Sequence, residues 1–90
     1  MRRVELSQQA SQDLAWWARS NRSTYQRILR LIDDSRSTPF AGIGKPEPLR
    51  YGPANTWSRR IDQRHRMVYR VYDDAIQIVA ARFHYNEQSR

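Results

Sequence analysis

The feature that most constrains the fold of this chain is a change in the spacing of its apolar residues. Before Pro39 they recur every three or four residues, as in amphipathic helices, and after Leu49 they alternate or cluster as in strands. The 90 residues are enough for one domain, and no repeat or linker divides them. We therefore expect a single α+β domain over residues 1–85 and a polar tail over residues 86–90.

The first half of the chain predicts one short strand and two helices. The residues before Ser7 alternate as in a strand, and the Ser7 hydroxyl can cap a helix over about residues 8–19. Ser23 and Gln26 have the spacing of a capping box, so a second helix is expected from there toward Pro39. The connection between the helices is short, which indicates a helix hairpin.

The second half predicts a loop and then several strands. Residues 40–48 contain two glycines and two prolines, a composition typical of a loop. Strands are expected over residues 57–61, 65–72 and 75–83, with a hairpin turn at residues 73–74. This order indicates an antiparallel β-sheet with the N-terminal helix hairpin packed on one face, which leaves the other face to solvent or ligand.

The charge of the chain is strongly positive and comes almost entirely from arginine. Sixteen Lys and Arg against nine Asp and Glu give a net charge of +7 and a pI near 10.8. Lys45 is the only lysine. Guanidinium groups match phosphate oxygens well, so the composition favours a nucleic acid as partner. A surface charged only for solubility and an acidic protein partner are the alternatives.

Composition also argues against several classes of protein. The chain has no cysteine and only two histidines, so we expect no disulfide, no metal site and no cofactor. No stretch has the length and apolar character of a signal peptide or a membrane span. We therefore expect a cytoplasmic protein that does not bind membranes.

Three kinds of side chain could together cleave RNA by attack of a 2′-hydroxyl on the adjacent phosphate. This reaction needs a base, an acid and cations that stabilise the phosphate. Glu47 stands between two prolines that restrict its backbone, and His84 can donate a proton near neutral pH. The nearby cations are Arg59, Arg60, Arg64 and Arg66. Each signal is weak alone, because such residues are often merely solvated, structural or paired with acids.

Strand register raises a difficulty for a site that contains both Arg66 and His84. A two-residue turn that pairs Tyr72 with Ala75 buries an apolar face but sends Arg66 and His84 to opposite faces of the sheet. A shared site needs a turn of odd length, a β-bulge, or a chain that leaves the last strand before His84.

Three segments carry a family resemblance: STPFAGIGKPEPLR at residues 37–50, WSRRIDQRHRMVYRV at residues 57–71 and ARFHY at residues 81–85. In combination and order they resemble the YoeB (Txe) toxins of bacterial toxin–antitoxin systems, within the RelE-like group. The resemblance implies a RelE-like α+β fold. The five residues after Tyr85 extend beyond the point where the family often stops.

The resemblance implies a ribosome-dependent mRNA interferase that works without metal. By position, Glu47 resembles the general base and His84 the general acid. Arg66 resembles the group that stabilises the transition-state phosphate, and Tyr85 the tyrosine that positions the RNA. The cations that hold the RNA backbone correspond to Lys45, Arg50, Arg59 and Arg60.

The resemblance also implies partners that composition cannot supply. These are mRNA in the A site of the 70S ribosome, a cognate YefM/Axe-like antitoxin and a second copy of the toxin in a homodimer. The antitoxin complex is expected to bind operator DNA. Two other functions remain open: a non-catalytic ParE-like toxin acting on DNA gyrase, and a basic RNA-binding module without nuclease activity.

Overall fold

A computed structural model describes residues 1–83 of the chain. Its elements in chain order are β1 (Arg3–Leu6), α1 (Gln8–Ser20), α2 (Arg22–Ser37), β2 (Glu47–Pro48), β3 (Thr56–Arg60), β4 (Arg66–Val71) and β5 (Ala75–Ala80). The predicted α+β fold with an N-terminal helix hairpin is confirmed. Residues 84–90, which include His84, Tyr85 and the expected polar tail, lie outside the described residues.

The five strands form one sheet in the order β1-β5-β4-β3-β2. Pairs joined by short connections are antiparallel, as predicted, whereas β1 and β5 run parallel, so the sheet is mixed. A hairpin turn forces antiparallel pairing, but β1 meets β5 only after a long connection that leaves either direction open. The two-residue β2 falls where the sequence predicted only loop. It is an edge strand, a position that tolerates its proline.

The two helices are capped by local side chains and share one connecting residue. The Ser7 hydroxyl accepts a hydrogen bond from the Ala10 amide at 3.0 Å, which confirms the predicted cap of α1. The predicted capping box at Ser23 is wrong, because Asn21 caps α2 by accepting from the Thr24 amide at 3.1 Å. The backbone amide of Asn21 also closes α1, so one residue serves both helices.

The helix hairpin covers one face of the sheet and forms the core with it. The buried residues of this core come from both helices, from β4 and β5, and from the positions just after β3 and β5: Ala10, Trp17, Ile28, Leu31, Ile32, Ile61, Met67, Tyr69, Val71, Ile76, Ile78 and Ala81. The odd-numbered residues of β4 therefore face the helices. Since strand side chains alternate, the even-numbered residues of β3 and β4 point to the opposite face, which we call the outer face.

A β-bulge interrupts the last hairpin of the sheet. Tyr69 lies opposite Ile78, as the sequence predicted, but the register shifts between Val68 and Tyr69, so that Val68 lies opposite Ala80. Regular pairing would have placed Val68 opposite Val79, so the partner lies one position later at this point. Such a bulge is one of the departures that a shared site for Arg66 and His84 requires, although His84 itself lies outside the described residues. The predicted strand also ends earlier, at Ala80 instead of residue 83.

No helix among the described residues is long and apolar enough to cross a membrane.

Candidate active site on the outer face of the sheet

Glu47 lies at the edge of the outer face, held by its pairing with β3. Glu47 lies opposite Ser58 and Pro48 opposite Trp57, and the Leu49 amide continues the pairing by donating to the Thr56 carbonyl at 2.9 Å. Residues opposite one another in a β-ladder share a face. The exposed carboxylate of Glu47 is therefore directed to the same side of the sheet as Ser58.

Two arginines stand next to each other on the same outer face. Arg60 in β3 lies opposite Arg66 in β4, so two positive charges are direct cross-strand neighbours. Such neighbours repel unless an anion lies between or above them. Neither guanidinium has a hydrogen bond or ion pair with the rest of residues 1–83. Within the described part of the chain, the outer face therefore presents uncompensated positive charge near Glu47.

The distance between Glu47 and Arg66 is set by the sheet. One strand, β3, separates β2 from β4. Adjacent strands lie about 4.8 Å apart, so the two strands are roughly 10 Å apart, and Arg66 is offset from the row of Glu47 by two residues, about 7 Å along the strand. Both side chains are long enough to reach an anion above β3. Ser58 and Val68, the β3 and β4 residues in the same row as Glu47, have short side chains and are themselves buried, at 3% and 1% exposure.

The position of Arg59 in the structure does not fit its predicted role as an RNA contact. It faces the helices, is fully buried, and uses all five of its guanidinium N–H groups inside the protein. The acceptors are the Tyr69 hydroxyl, the Asp34 carboxylate and the carbonyls of Thr38, Ala41 and Ile43. Because β-strand side chains alternate, Arg59 and Arg60 cannot both face an RNA on the outer side.

The buried Arg59 instead anchors the loop that leads to Glu47. The Asp34 carboxylate accepts from both Arg59 and the Ile43 amide, the latter at 3.0 Å. The Gly44 carbonyl accepts from the Arg60 amide at 2.7 Å, which brings the end of the loop onto β3. This network fixes where β2 begins.

Tyr69 completes the network beneath the loop. Its hydroxyl donates to the Pro39 carbonyl at 2.7 Å and accepts from Arg59 Nε at 2.9 Å. Burial raises the pKa of the Tyr69 phenol, and the bond and charge of Arg59 oppose this effect only in part.

Lys45 and Arg50, the other predicted RNA contacts, lie on either side of β2. Both are exposed, and neither side chain has a hydrogen bond or ion pair within the described part of the chain. Lys45 has a left-handed backbone with φ of 51°. Their exposure leaves both cations available to a ligand that passes over Glu47.

The segment after β5 is held close to Arg66. The Arg66 amide donates to the Phe83 carbonyl at 3.1 Å, and the Phe83 amide donates to Nδ1 of His65 at 2.7 Å. His65 is thus a structural acceptor and packs edge-on against Trp17, with ring centroids 5.0 Å apart. His84, the predicted acid, is the next residue in the sequence and lies outside the described residues, as does Tyr85.

Helix α1 holds the same segment from the other side, a role that the sequence did not reveal. The buried Asp13 carboxylate accepts from the Ala81 amide at 2.9 Å, and the Trp17 indole donates to the Ala81 carbonyl at 2.7 Å. The Arg82 guanidinium lies 3.6 Å from the Trp16 ring centroid. Trp17 is buried on the core side of the helix, but no local pattern in the sequence connects Asp13 with a residue 68 positions away.

No group of three or more His, Cys, Asp or Glu side chains within residues 1–83 could hold a metal ion.

Comparison with known proteins identifies the family. Residues 6–85 match the family described as "YoeB-like toxin of bacterial type II toxin-antitoxin system". The Toxin YoeB of Mycobacterium bovis is 47% identical over 85 residues, which are 94% of this chain and 100% of that protein. The chain belongs to the YoeB family of toxins. The family match covers Glu47, Arg66 and the C-terminal His84 and Tyr85.

Solved structures of YoeB toxins have the same fold. The YoeB dimer of Staphylococcus aureus matches with a TM-score of 0.86 and 32% identity, over 93% of this chain and 98% of that one. The YoeB–YefM complex of the same organism matches with a TM-score of 0.82 and 34% identity, over 94% and 99% of the two chains. Members of this family have thus been seen as dimers and in complex with an antitoxin.

Proposed function

We propose that this YoeB-family toxin is a ribosome-dependent endoribonuclease that cleaves mRNA in the ribosomal A site and so inhibits translation. The observation that carries the proposal is the outer face of the sheet. There Glu47 shares a face with Arg60 and Arg66, whose guanidinium groups have no partner among residues 1–83, and the Arg66 amide donates a hydrogen bond to the Phe83 carbonyl directly before His84. A carboxylate and two arginines thus share one face of the sheet, next to the segment that precedes His84.

In the proposed reaction the protein supplies every proton transfer, so no metal is required. Glu47 takes the proton of the 2′-hydroxyl, whose oxygen attacks the adjacent phosphorus. Arg66 stabilises the charge that develops on the phosphate. As the bond to the 5′-oxygen breaks, His84 donates a proton to that oxygen, which leaves a 2′,3′-cyclic phosphate and a 5′-hydroxyl.

The remaining site residues bind and orient the RNA in this proposal. Lys45, Arg50 and Arg60 hold the backbone phosphates, since all three are exposed and without acidic partners among residues 1–83. Tyr85 positions the RNA beside His84. Arg59 acts only through the loop that it anchors.

The partners follow from the relatives. The Staphylococcus aureus toxin has been solved as a dimer and in complex with YefM. We propose that this chain also forms a homodimer and is neutralised by a YefM-like antitoxin, in a complex that binds operator DNA.

The test is cleavage of mRNA by translating ribosomes, with the RNA ends mapped. Wild-type protein is expected to leave new 5′-hydroxyl ends within codons. Glu47→Gln and His84→Gln are expected to slow cleavage by about 10²–10⁴-fold, because each removes one proton transfer while keeping a similar shape. Arg30→Gln, which removes an exposed charge from the helix side, is the matched control.

The same assay separates the alternatives. Cleavage by Glu47→Gln and His84→Gln at the wild-type rate would exclude the assigned roles. A ParE-like toxin would leave the mRNA intact and inhibit supercoiling by DNA gyrase, whereas a simple RNA-binding module would bind RNA without producing new ends. The shared position of Glu47 and Arg66 on one face favours the nuclease.

A further inference from the structure

A second polar patch lies on the outer face, at the opposite end of β3 and β4 from Arg60 and Arg66. Thr56 lies opposite Arg70 across the β3–β4 pair, and they face away from the helices. We call these two residues the distal patch. Neither was among the site residues expected from the sequence.

Both residues of the distal patch have a buried polar atom without a hydrogen-bond partner. Thr56 is only 3% exposed, yet its hydroxyl Oγ1 makes no hydrogen bond within residues 1–83. Nε of Arg70 is also buried and has no hydrogen-bond partner in the described part of the chain. Buried polar atoms almost always find a partner, so two neighbouring exceptions on the same face of the sheet indicate a site where a ligand completes the bonding.

The charge around the distal patch favours an anion. Arg70 has no ion pair within the described residues. Arg70 lies opposite Gln77 in β5, and Gln77 in turn lies opposite Glu5 in β1. The carboxylate of Glu5, the acid in this row of the sheet, forms an ion pair with Arg3 at 3.0 Å. The Arg70 charge is therefore not neutralised by that acid.

We propose that Thr56 and Arg70 bind a backbone phosphate of the RNA at a distance from the bond that is cleaved. A guanidinium and a hydroxyl are a suitable donor pair for a phosphodiester. Binding requires the Arg70 side chain to shift so that Nε and the Thr56 hydroxyl become accessible. This proposal rests on the proposed function, because it adds a further RNA contact to the surface that binds the RNA in that function.

The dimensions of the sheet support a single continuous strand of RNA. Arg66 and Arg70 are four residues apart in β4, on the same face, which corresponds to about 13 Å along the strand. A single strand whose cleaved phosphate lies at Arg66 can thus place another phosphate, a few nucleotides away, at Arg70. This shared face favours RNA over an acidic peptide as the occupant.

The first experiment measures binding of a short unstructured RNA at several salt concentrations. Each phosphate contact to single-stranded RNA contributes about 0.7 to the slope of log affinity against log salt. Arg70→Gln is expected to make that slope shallower by about 0.7. Arg30→Gln, the control on the helix side, is expected to leave it unchanged. Thr56→Val is expected to weaken binding without lowering stability, because it removes a hydroxyl that has no partner.

The second experiment locates the contact on the RNA. Methylphosphonates, which lack the phosphate charge, are placed one at a time along the mRNA used in the ribosome assay. At one position away from the cleaved bond, the substitution is expected to raise KM for the wild type but not for Arg70→Gln, with kcat unchanged. An Arg70→Gln salt slope equal to that of Arg30→Gln, or the absence of such a position, would overturn the proposal.

The outcomes keep the two proposals distinct. Failure of the wild type to cleave mRNA would refute the nuclease, while the binding experiment would still test the distal patch. If Arg70→Gln weakens binding of an acidic antitoxin peptide and leaves the RNA salt slope unchanged, the patch is a protein contact and our assignment to RNA is wrong.

Discussion

Arg59 and Arg60 are adjacent in the sequence but face opposite sides of the sheet, which allows a matched test of what each does. We predict that Arg59→Met strongly destabilises the protein and that Arg60→Met does not. Methionine keeps much of the length of the arginine side chain while removing its charge and its N–H groups. The comparison therefore measures the guanidinium group in two environments, one buried and one exposed.

The magnitude follows from what Arg59→Met leaves behind. The Asp34 carboxylate, with a side chain 31% exposed, loses its cation, and three loop carbonyls and one hydroxyl lose a donor. Removing one partner of a buried ion pair costs about 3–5 kcal/mol. For a domain of this size, such a loss lowers Tm by at least about 12 °C. Exposed substitutions such as Arg60→Met change stability by only about 0.5 kcal/mol.

The assay is urea unfolding followed by tryptophan fluorescence, with RNA affinity measured below the unfolding transition. Arg60→Met is expected to weaken RNA binding at nearly wild-type stability, and Arg59→Met to lose stability. Arg59→Lys is a second variant in case the methionine protein does not fold. It keeps the charge but has only three N–H donors for the same acceptors, so a smaller loss is expected. Wild-type stability of Arg59→Met together with weakened RNA binding would refute this reasoning.

Two further predictions concern the same network. Gly42→Ala is expected to lower the unfolding free energy by about 1–3 kcal/mol, because φ is +120° and an added Cβ would lie 2.0 Å from Oδ2 of Asp34. Thermal unfolding of the wild type and of Gly42→Ala would test this. Burial raises the pKa of Tyr69 above its ordinary value of 10.0, so the folded state keeps a proton that the unfolded state releases at alkaline pH. Stability should therefore fall as the pH rises above about 10, and less steeply in Tyr69→Phe, as measured by urea unfolding across that range.

Much of the fold was predictable because it depends on local spacing. Helical periodicity identified α1 and α2, and the Ser7 cap was readable because a cap involves residues three positions apart. The error at Ser23 has a related cause. Several residues near the start of α2 could cap it, and the choice of Asn21 depends on how closely the two helices are joined.

The candidate site was only partly predictable. Chemistry and motif order were sufficient to select Glu47 and Arg66, and the structure brings both to one face. The sequence did not predict the distal patch, because its two residues are 14 positions apart and become neighbours only through strand pairing. The role of Asp13 was not predicted for the same reason, since its hydrogen-bond partner belongs to the segment after β5.

The change in apolar spacing after Pro39 was thus sufficient to predict an α+β fold. The ordered motifs were sufficient to predict the YoeB family, because both signals are properties of nearby residues. Which side of the sheet each arginine faces was decided by tertiary structure. A strand alternates with period two, so the choice of which face the helices cover assigns every side chain of the strand to one side or the other. That alternation buries Arg59 as a structural anchor and leaves Arg60 exposed on the outer face.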